Sequence, residues 1–304
     1  MLDPSGLYDI SRDAAEVPLG LPLVAGLTGF ADAGGAVAQL NEYLVEVLDT
    51  RVVAHFDADS LLDYRARRPT IFFDEDHLGE FRPVSLDLRL ATDDLGQPFL
   101  LLTGYEPDFQ WERFTAAVLQ LIERYRVRST TWVNAIPVPV PHTRPIRVTV
   151  SGNRPDLIGS MSVWRPRTEA PANALHMLEF RLQKLEHPIA GFVLLVPHYL
   201  ADTEYPAAAI TAIESITAAT GLIFPTDRLR AESRDFLAKI GSQVESNAEL
   251  SRLVARLEQQ HDSYLLDNPP PSPLADADGG LPSAEDIAAE LEDFLASRRD
   301  DDAD

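Results

Sequence analysis

The chain of 304 residues reads as an α/β protein, a central sheet between helical layers (a three-layer α/β/α sandwich) with a helical hairpin towards its C-terminal end. Three observations predict this fold class. Strand-like and helix-like segments alternate through the first 225 residues, most of the strand-like ones are continuous apolar runs, and a glycine-rich loop joins an early strand to a helix. Continuous apolar runs are what strands covered on both faces need, which is the situation of a sheet between two helical layers.

The strand over residues 21–27 leads through Gly26, Gly29, Gly34 and Gly35 into a helix over residues 33–48. Such a loop aims unpaired backbone N–H groups and the positive end of a helix dipole at one point, as in many anion sites. No Lys and Ser/Thr follow the glycines as in a P-loop, and the spacing is not that of a dinucleotide fingerprint. Two readings stay open: a loop that holds a ligand, or a tight turn in which Asp32 caps the helix.

Further strands are expected over residues 51–56, 70–73, 99–103, 130–136 and 189–196, all rich in β-branched and apolar residues. Over 84–90 and 146–150 apolar and polar residues alternate, which predicts half-exposed strands. Asp93-Asp94-Leu95-Gly96 then reads as a hairpin turn. The clearest helix covers 110–126, where Trp111, Phe114, Val118, Leu121, Ile122 and Tyr125 share one face. Others are expected over 172–186 and 206–220, the last opened by Pro206 and closed by Gly221. From 227 to about 264 the pattern is helical throughout, with Ser246-Asn247-Ala248-Glu249 as a capping-box pattern in its middle, so two helices folded as a hairpin are expected rather than one rod.

These signals divide the chain into an α/β core (1–225), a C-terminal helical region (226–265) and an acidic Pro/Gly linker and tail (266–304) expected to be flexible. Within the tail, residues 283–297 carry Ile287, Leu291, Phe294 and Leu295 at helical spacing and suit docking on a partner.

The formal charge is −22, of which residues 268–304 carry −9, from 11 acidic and 2 basic side chains. Phosphate backbones need a cationic surface, so nucleic acid is not an expected partner. No apolar run approaches the roughly 20 residues that span a bilayer, and the first residues lack the basic and apolar blocks of a signal peptide, so a cytoplasmic protein without membrane attachment is expected. With no cysteine, disulfides, thiolate metal sites and thiol nucleophiles drop out. The seven histidines show no metal-ligand spacing and no Ser sits in a nucleophile elbow, so neither a metal, a cofactor nor a catalytic set is assigned.

Polar residues gather instead where strands end, the place where open α/β sheets bind ligands. The strand ending at Phe56 is followed by Asp57, Asp59, Tyr64, Arg65 and Arg68; the one ending at Thr103 by Glu106, Asp108 and Trp111; the one ending at Ile136 by His142 and Arg144; the one ending at Val196 by His198 and Tyr205. With Gly29, Asp32 and Gly34 these are the candidate ligand-binding or partner-binding residues. If the strands run parallel, the loops converge on one rim. A functional reading takes Arg65, Arg68 or Arg144 as anion clamps, Glu106 or Asp108 as proton acceptors and His142 or His198 as a titratable group. A structural reading pairs the same groups with one another.

Several blocks, in order, resemble the PAC2 family, that of the proteasome assembly chaperone 2 proteins, and are most similar to its actinobacterial members. They are GFADAG at 29–34, FDADSLLDYRARRP at 56–69, EPDFQWERF at 106–114, PVPHTRP at 139–145, SGNRPDL at 151–157 and VPHYLADTEYP at 196–206. The resemblance implies an α/β/α sandwich similar to the purine nucleoside phosphorylase fold, a C-terminal helical region, and self-association into a homo-oligomer, with three-fold assembly as one form, or pairing with a related subunit. It also implies protein partners, since eukaryotic and archaeal relatives act as chaperones for proteasome α subunits. Their C-terminal hydrophobic-Tyr-any residue tail is replaced here by Asp301-Asp302-Ala303-Asp304, which argues against docking on a proteasome by that route. The fold likeness to nucleoside phosphorylases supplies the alternative expectation, an enzyme acting on a nucleoside-like or phosphorylated small molecule at the rim.

Overall fold

The computed structural model describes residues 3–12, 16–164 and 167–267. Eight strands form one mixed sheet in the order β1-β3-β6-β7-β2-β8-β10-β9. They are β1 (Tyr8–Ile10), β2 (Pro22–Thr28), β3 (Thr50–Phe56), β6 (Leu86–Thr92), β7 (Pro98–Tyr105), β8 (Ser129–Val138), β9 (Arg147–Gly152) and β10 (Ile189–Pro197). A separate two-stranded hairpin consists of β4 (Thr70–Asp74) and β5 (His77–Arg82). The helices are α1 (Ala36–Val47), α2 (Ala58–Leu61), α3 (Trp111–Arg124), α4 (Pro155–Met161), α5 (Ala174–Lys184), α6 (Pro206–Thr220), α7 (Asp227–Ser246) and α8 (Ala248–Asp267).

Strands β7, β2, β8 and β10 are mutually parallel, and β6 pairs antiparallel with both β7 and β3, so β3 points the same way as the parallel set. The carboxyl ends of these five strands therefore share one edge. The alternation of side chains sorts the core into two layers. Val24, Leu101, Val133 and Phe192 face α1, α6 and α7, whereas Leu23, Ala25, Leu100, Leu102 and Trp132 face α3 and α5. Burial on both faces is why these strands read as unbroken apolar runs.

Three features differ from the sequence expectation. Thr70–Asp74 is not a covered sheet strand: every residue of β4 and β5 is exposed. Its partner β5 breaks the strand signal with Gly79 and Glu80, and the two strands are joined by Glu75-Asp76, with Glu75 at φ 51° as a two-residue hairpin turn demands. Strand β6 is more covered than its alternation suggests, with Leu86, Asp87 and Leu88 all buried, because it lies inside the sheet between β3 and β7. The break in the C-terminal helical stretch falls at Asn247, whose side chain accepts from the N–H groups of Glu249 and Leu250. Asn247 is thus the cap in place of Ser246, whose hydroxyl donates to Gln243. Helix α6 matches the expected limits, with Gly221 at φ 76° closing it. The 283–297 segment lies outside the described residues.

Candidate functional site

The loop between β2 and α1 sets the centre of the rim. Its chain first forms a short 3-10 turn at Ala33–Gly35, and Gly34 and Gly35 both adopt left-handed conformations, at φ 70° and 56°, that a side chain would strain. The Asp32 carboxylate accepts from the N–H groups of Val37 at 2.7 Å and Ala38 at 2.9 Å, so the helix N-terminus receives its negative partner from within the chain. Burial raises the Asp32 carboxyl above its usual range, opposed by these same backbone bonds. Gly34 is stitched to the loop after β10: its N–H donates to Ala201 and its carbonyl accepts from Tyr205, both at 2.8 Å. A Cβ on Gly34 would stand 3.1 Å from that of Tyr205. Tyr205 is itself buried, leans on Phe236 of α7, and has its phenol pushed up to about 12 by burial.

On the β3 and β7 side, the site turns on Arg67. Its guanidinium pairs with Asp108, lies over the Tyr105 ring at 5.5 Å, and stands 2.6 Å from where a Cβ on Gly29 would fall. Gly29, at φ 138°, is therefore the residue that lets the arginine close over the loop. Asp108 also accepts from the N–H of Asp63 at 2.8 Å, which fixes the turn after α2. Asp57 caps α2 through Ser60, and Asp59 accepts from the Tyr64 hydroxyl at 2.5 Å. Arg65 and Arg68 point into solvent at the base of the hairpin arm. Trp111 donates to the Pro107 carbonyl at 2.5 Å and holds the start of α3. Glu106 is buried, accepts from the N–H of Ala174 at 2.6 Å, and has its carboxyl raised chiefly by desolvation. The crevice it shares with Phe30, Asn134 and Asn173 holds about 10 Å³, the space of one water.

On the β8 and β10 side, His142 is buried and its ring meets the Tyr199 hydroxyl at 2.7 Å through Nδ1, while its backbone N–H donates to the same oxygen. Burial lowers the His142 imidazole below its ordinary value. Arg144 reaches away from the glycine loop to α8, donating to Asp262 at 2.9 and 2.7 Å and pairing with Glu258 at 3.3 Å. The neighbouring Asp262 carboxyl falls to about 2, through its bonds to Arg144 and then to His261. His198 is exposed at the start of a 3-10 turn, edge-on to Tyr199.

The candidates thus occupy one edge in two groups. Gly29, Asp57, Asp59, Tyr64 and Asp108 gather with Arg67 at the ends of β3 and β7; Gly34, His142, His198 and Tyr205 gather at the ends of β8 and β10 with Tyr199. Arg144 is drawn off to α8. Arg67 and Tyr199 were not singled out by the sequence; their blocks RARRP and PHYL carry them, but nothing in the spacing separates Arg67 from Arg65 and Arg68. Among the described residues no group of three or more His, Asp or Glu side chains is placed to hold a metal ion, and no helix is long and apolar enough to cross a membrane.

The sequence model of the PAC2 family matches residues 26–244, which takes in the whole rim. The chain belongs to the PAC2 family. This PAC2 chain is similar to a Corynebacterium glutamicum protein of unknown function, at 35% identity and a TM-score of 0.82, covering 85% of this chain and 98% of that one. It is also similar to a Mycobacterium tuberculosis protein of unknown function, at 40% identity and a TM-score of 0.81 over 86% and 92% of the two chains. A proteasome-assembly chaperone homologue of M. tuberculosis shares the fold at 21% identity, with a TM-score of 0.70 over 77% of this chain and all of that one. Among curated proteins none matches the chain.

Proposed function

We propose that this PAC2 protein acts by binding proteins, as a chaperone-like homo-oligomer whose subunits are joined through the β4–β5 arm. The observation that carries the reading is the arm itself. Phe72, Phe73, Leu78 and Phe81 are 59%, 69%, 59% and 57% exposed on a hairpin that pairs with no other strand among the described residues. A lone two-stranded hairpin is marginal in water, and a cluster of exposed aromatics marks a contact surface.

Its charges suit a second copy of the same chain. The tip carries Asp74, Glu75 and Asp76, while Arg65 and Arg68 stand exposed at its base, so one copy's tip complements another's base. At the rim, the polar candidates are engaged within the subunit: Asp32 with α1, Asp108 with Arg67, Glu106 with Ala174, Arg144 with α8. The likeness in fold to a proteasome-assembly chaperone homologue supports a client that is itself a protein.

Light scattering after size exclusion tests this with the full chain and a Phe73→Asp, Phe81→Asp double variant. The wild type is expected to be an oligomer, and the double variant a monomer with unchanged far-UV dichroism, since neither ring is in the core. A monomeric wild type, or a double variant of unchanged mass, overturns the reading.

A further inference from the structure

The one-water crevice at the centre of the rim has its origin in the sheet. Strand β2 pairs with β7 as far as Thr28 opposite Tyr105, but with β8 only as far as Gly26 opposite Val133. Its chain then leaves β8 and returns only at Asp32, opposite Ala135. The gap left beside Asn134 is the crevice, walled by Leu27, Ala31 and Leu175, with the Phe30 ring 55% exposed beside it.

Three polar residues share this gap, Glu106, Asn134 and Asn173, and they are only 7%, 5% and 6% exposed. The Asn134 side chain makes no hydrogen bond among the described residues. Unlike Asn41 Oδ1, which is walled off without a partner, the Asn134 amide keeps accessible surface, and the opening it faces is the crevice. Glu106 spends one oxygen, Oε1, on the N–H of Ala174, while Oε2 has no partner in the chain and is likewise open to the gap. No hydrogen bond joins Glu106 to Asn134 or Asn173, so the space between them is there to be bridged. Desolvation raises the Glu106 carboxyl, and the charges of Arg67 and Asp108 act on it with opposite signs, so the chain supplies no net counterion.

Size and charge together define the missing group. A volume of about 10 Å³ admits a single heavy atom, which excludes guanidinium, carboxylate and phosphate. Water has the right size but leaves the buried carboxylate without a compensating charge, which is costly in a desolvated place. An ammonium nitrogen has the same size, carries the charge, and donates to acceptors only.

We propose that this crevice binds a primary alkylammonium group, either a lysine side chain of a protein partner or a free amine. The ammonium donates to Glu106 Oε2 and to the Asn134 carbonyl, and Leu27, Leu175 and Phe30 flank the alkyl stem, as apolar surface does for lysine stems elsewhere. The net charge of −22 draws such cations towards the chain. Only the lysine form rests on the protein-binding reading given above; the ammonium chemistry does not, and no arm residue lines the crevice.

The side-chain amide resonances of Asn134 and Asn173 in the full-length protein report occupancy. n-Butylammonium, acetyl-lysine amide, acetyl-arginine amide and tetramethylammonium are titrated separately at constant pH and ionic strength. Saturable shifts at both amides are expected with n-butylammonium, with Kd in the millimolar range, the scale of one charge-assisted contact and a short stem. Glu106→Gln, which keeps the shape and the bond to Ala174 but removes the charge, should weaken binding about tenfold or more. The arginine amide, too large at its head, and tetramethylammonium, which cannot donate, should leave both resonances in place. Binding of acetyl-lysine amide as tight as that of n-butylammonium assigns the crevice to a protein side chain, whereas binding of n-butylammonium alone assigns it to a free amine. No saturable shift up to about 50 mM amine, equal shifts with tetramethylammonium or the arginine amide, or unchanged affinity in Glu106→Gln overturns the proposal. Were that variant not to fold, the tetramethylammonium and arginine arms decide alone. A monomeric wild type would sink the arm reading and leave these titrations as they are.

Discussion

Replacing Arg67 with alanine removes the cation that ties three rim segments together: the glycine loop at Gly29, the end of β7 at Tyr105, and Asp108 before α3. The side chains of Arg67 and Asp108 are 15% and 22% exposed, between the fully buried and the solvated limits. Breaking a fully buried pair from one side costs about 3–5 kcal/mol, whereas an exposed pair is worth at most about 1 kcal/mol. About 2 kcal/mol is therefore expected for Arg67→Ala, a drop in Tm of roughly 3 °C for a chain of this size. Lysine at the same place keeps the charge but not the planar fork or the stacking on Tyr105, and should lose a smaller part. Urea unfolding of the wild type, Arg67→Ala, Asp108→Ala and the double variant, all at one protein concentration, closes a double-mutant cycle. A coupling of about 1–2 kcal/mol is expected. Arg67→Ala within about 0.5 kcal/mol of wild type, or additive single effects, would refute the reasoning.

Two further outcomes follow from the core. Gly191 lies under the Trp132 indole, where a Cβ would fall 2.3 Å from Cε2, so Gly191→Ala should cost about 3 kcal/mol by overpacking, read by urea unfolding; a loss under about 1 kcal/mol would contradict this. Glu179 is buried, accepts from Trp132 Nε1 at 2.7 Å and Ser151 at 2.8 Å, and has its carboxyl raised by burial. A raised native value means the folded state holds its proton longer than the unfolded chain, so this group's contribution to stability is full below the ordinary carboxyl value and is lost as pH rises through the raised one. Glu179→Gln should flatten the fall of Tm as pH rises above the ordinary carboxyl range, leaving the parts due to Glu106 and Asp32, which are raised in the same way; parallel Tm curves for the two proteins would contradict it.

Much of the sheet was legible because burial on two faces leaves a local signature. The strands at 22–28, 98–105, 129–138 and 189–197 each supply side chains to both helical layers, so their apolar runs are unbroken. The sharing of one edge by their carboxyl ends followed from the same inference. Strands β1 and β5 were not legible: Tyr8–Ile10 is three residues long, and His77–Arg82 is exposed throughout, so neither carries a pattern imposed by a core.

At the rim, the role of Asp32 as a cap was readable because a cap and its helix are neighbours in sequence. The partners of Arg144 were not. Glu258 and Asp262 lie in another element more than a hundred residues along, and sequence spacing does not say which of many surface carboxylates a given arginine meets.

The two backbone hydrogen bonds that Gly34 makes with Ala201 and Tyr205 have a consequence for biosynthesis. They join the loop after β2 to the loop after β10, the last strand of the sheet, so loop-closure entropy must be met across most of the core before either bond forms. While the ribosome is still making the middle of the chain, the turn ahead of α1 lacks these partners, and it reaches its final shape only once the residues leading into α6 have emerged. The bend at the centre of the rim is thus among the first stretches synthesised and among the last to be completed.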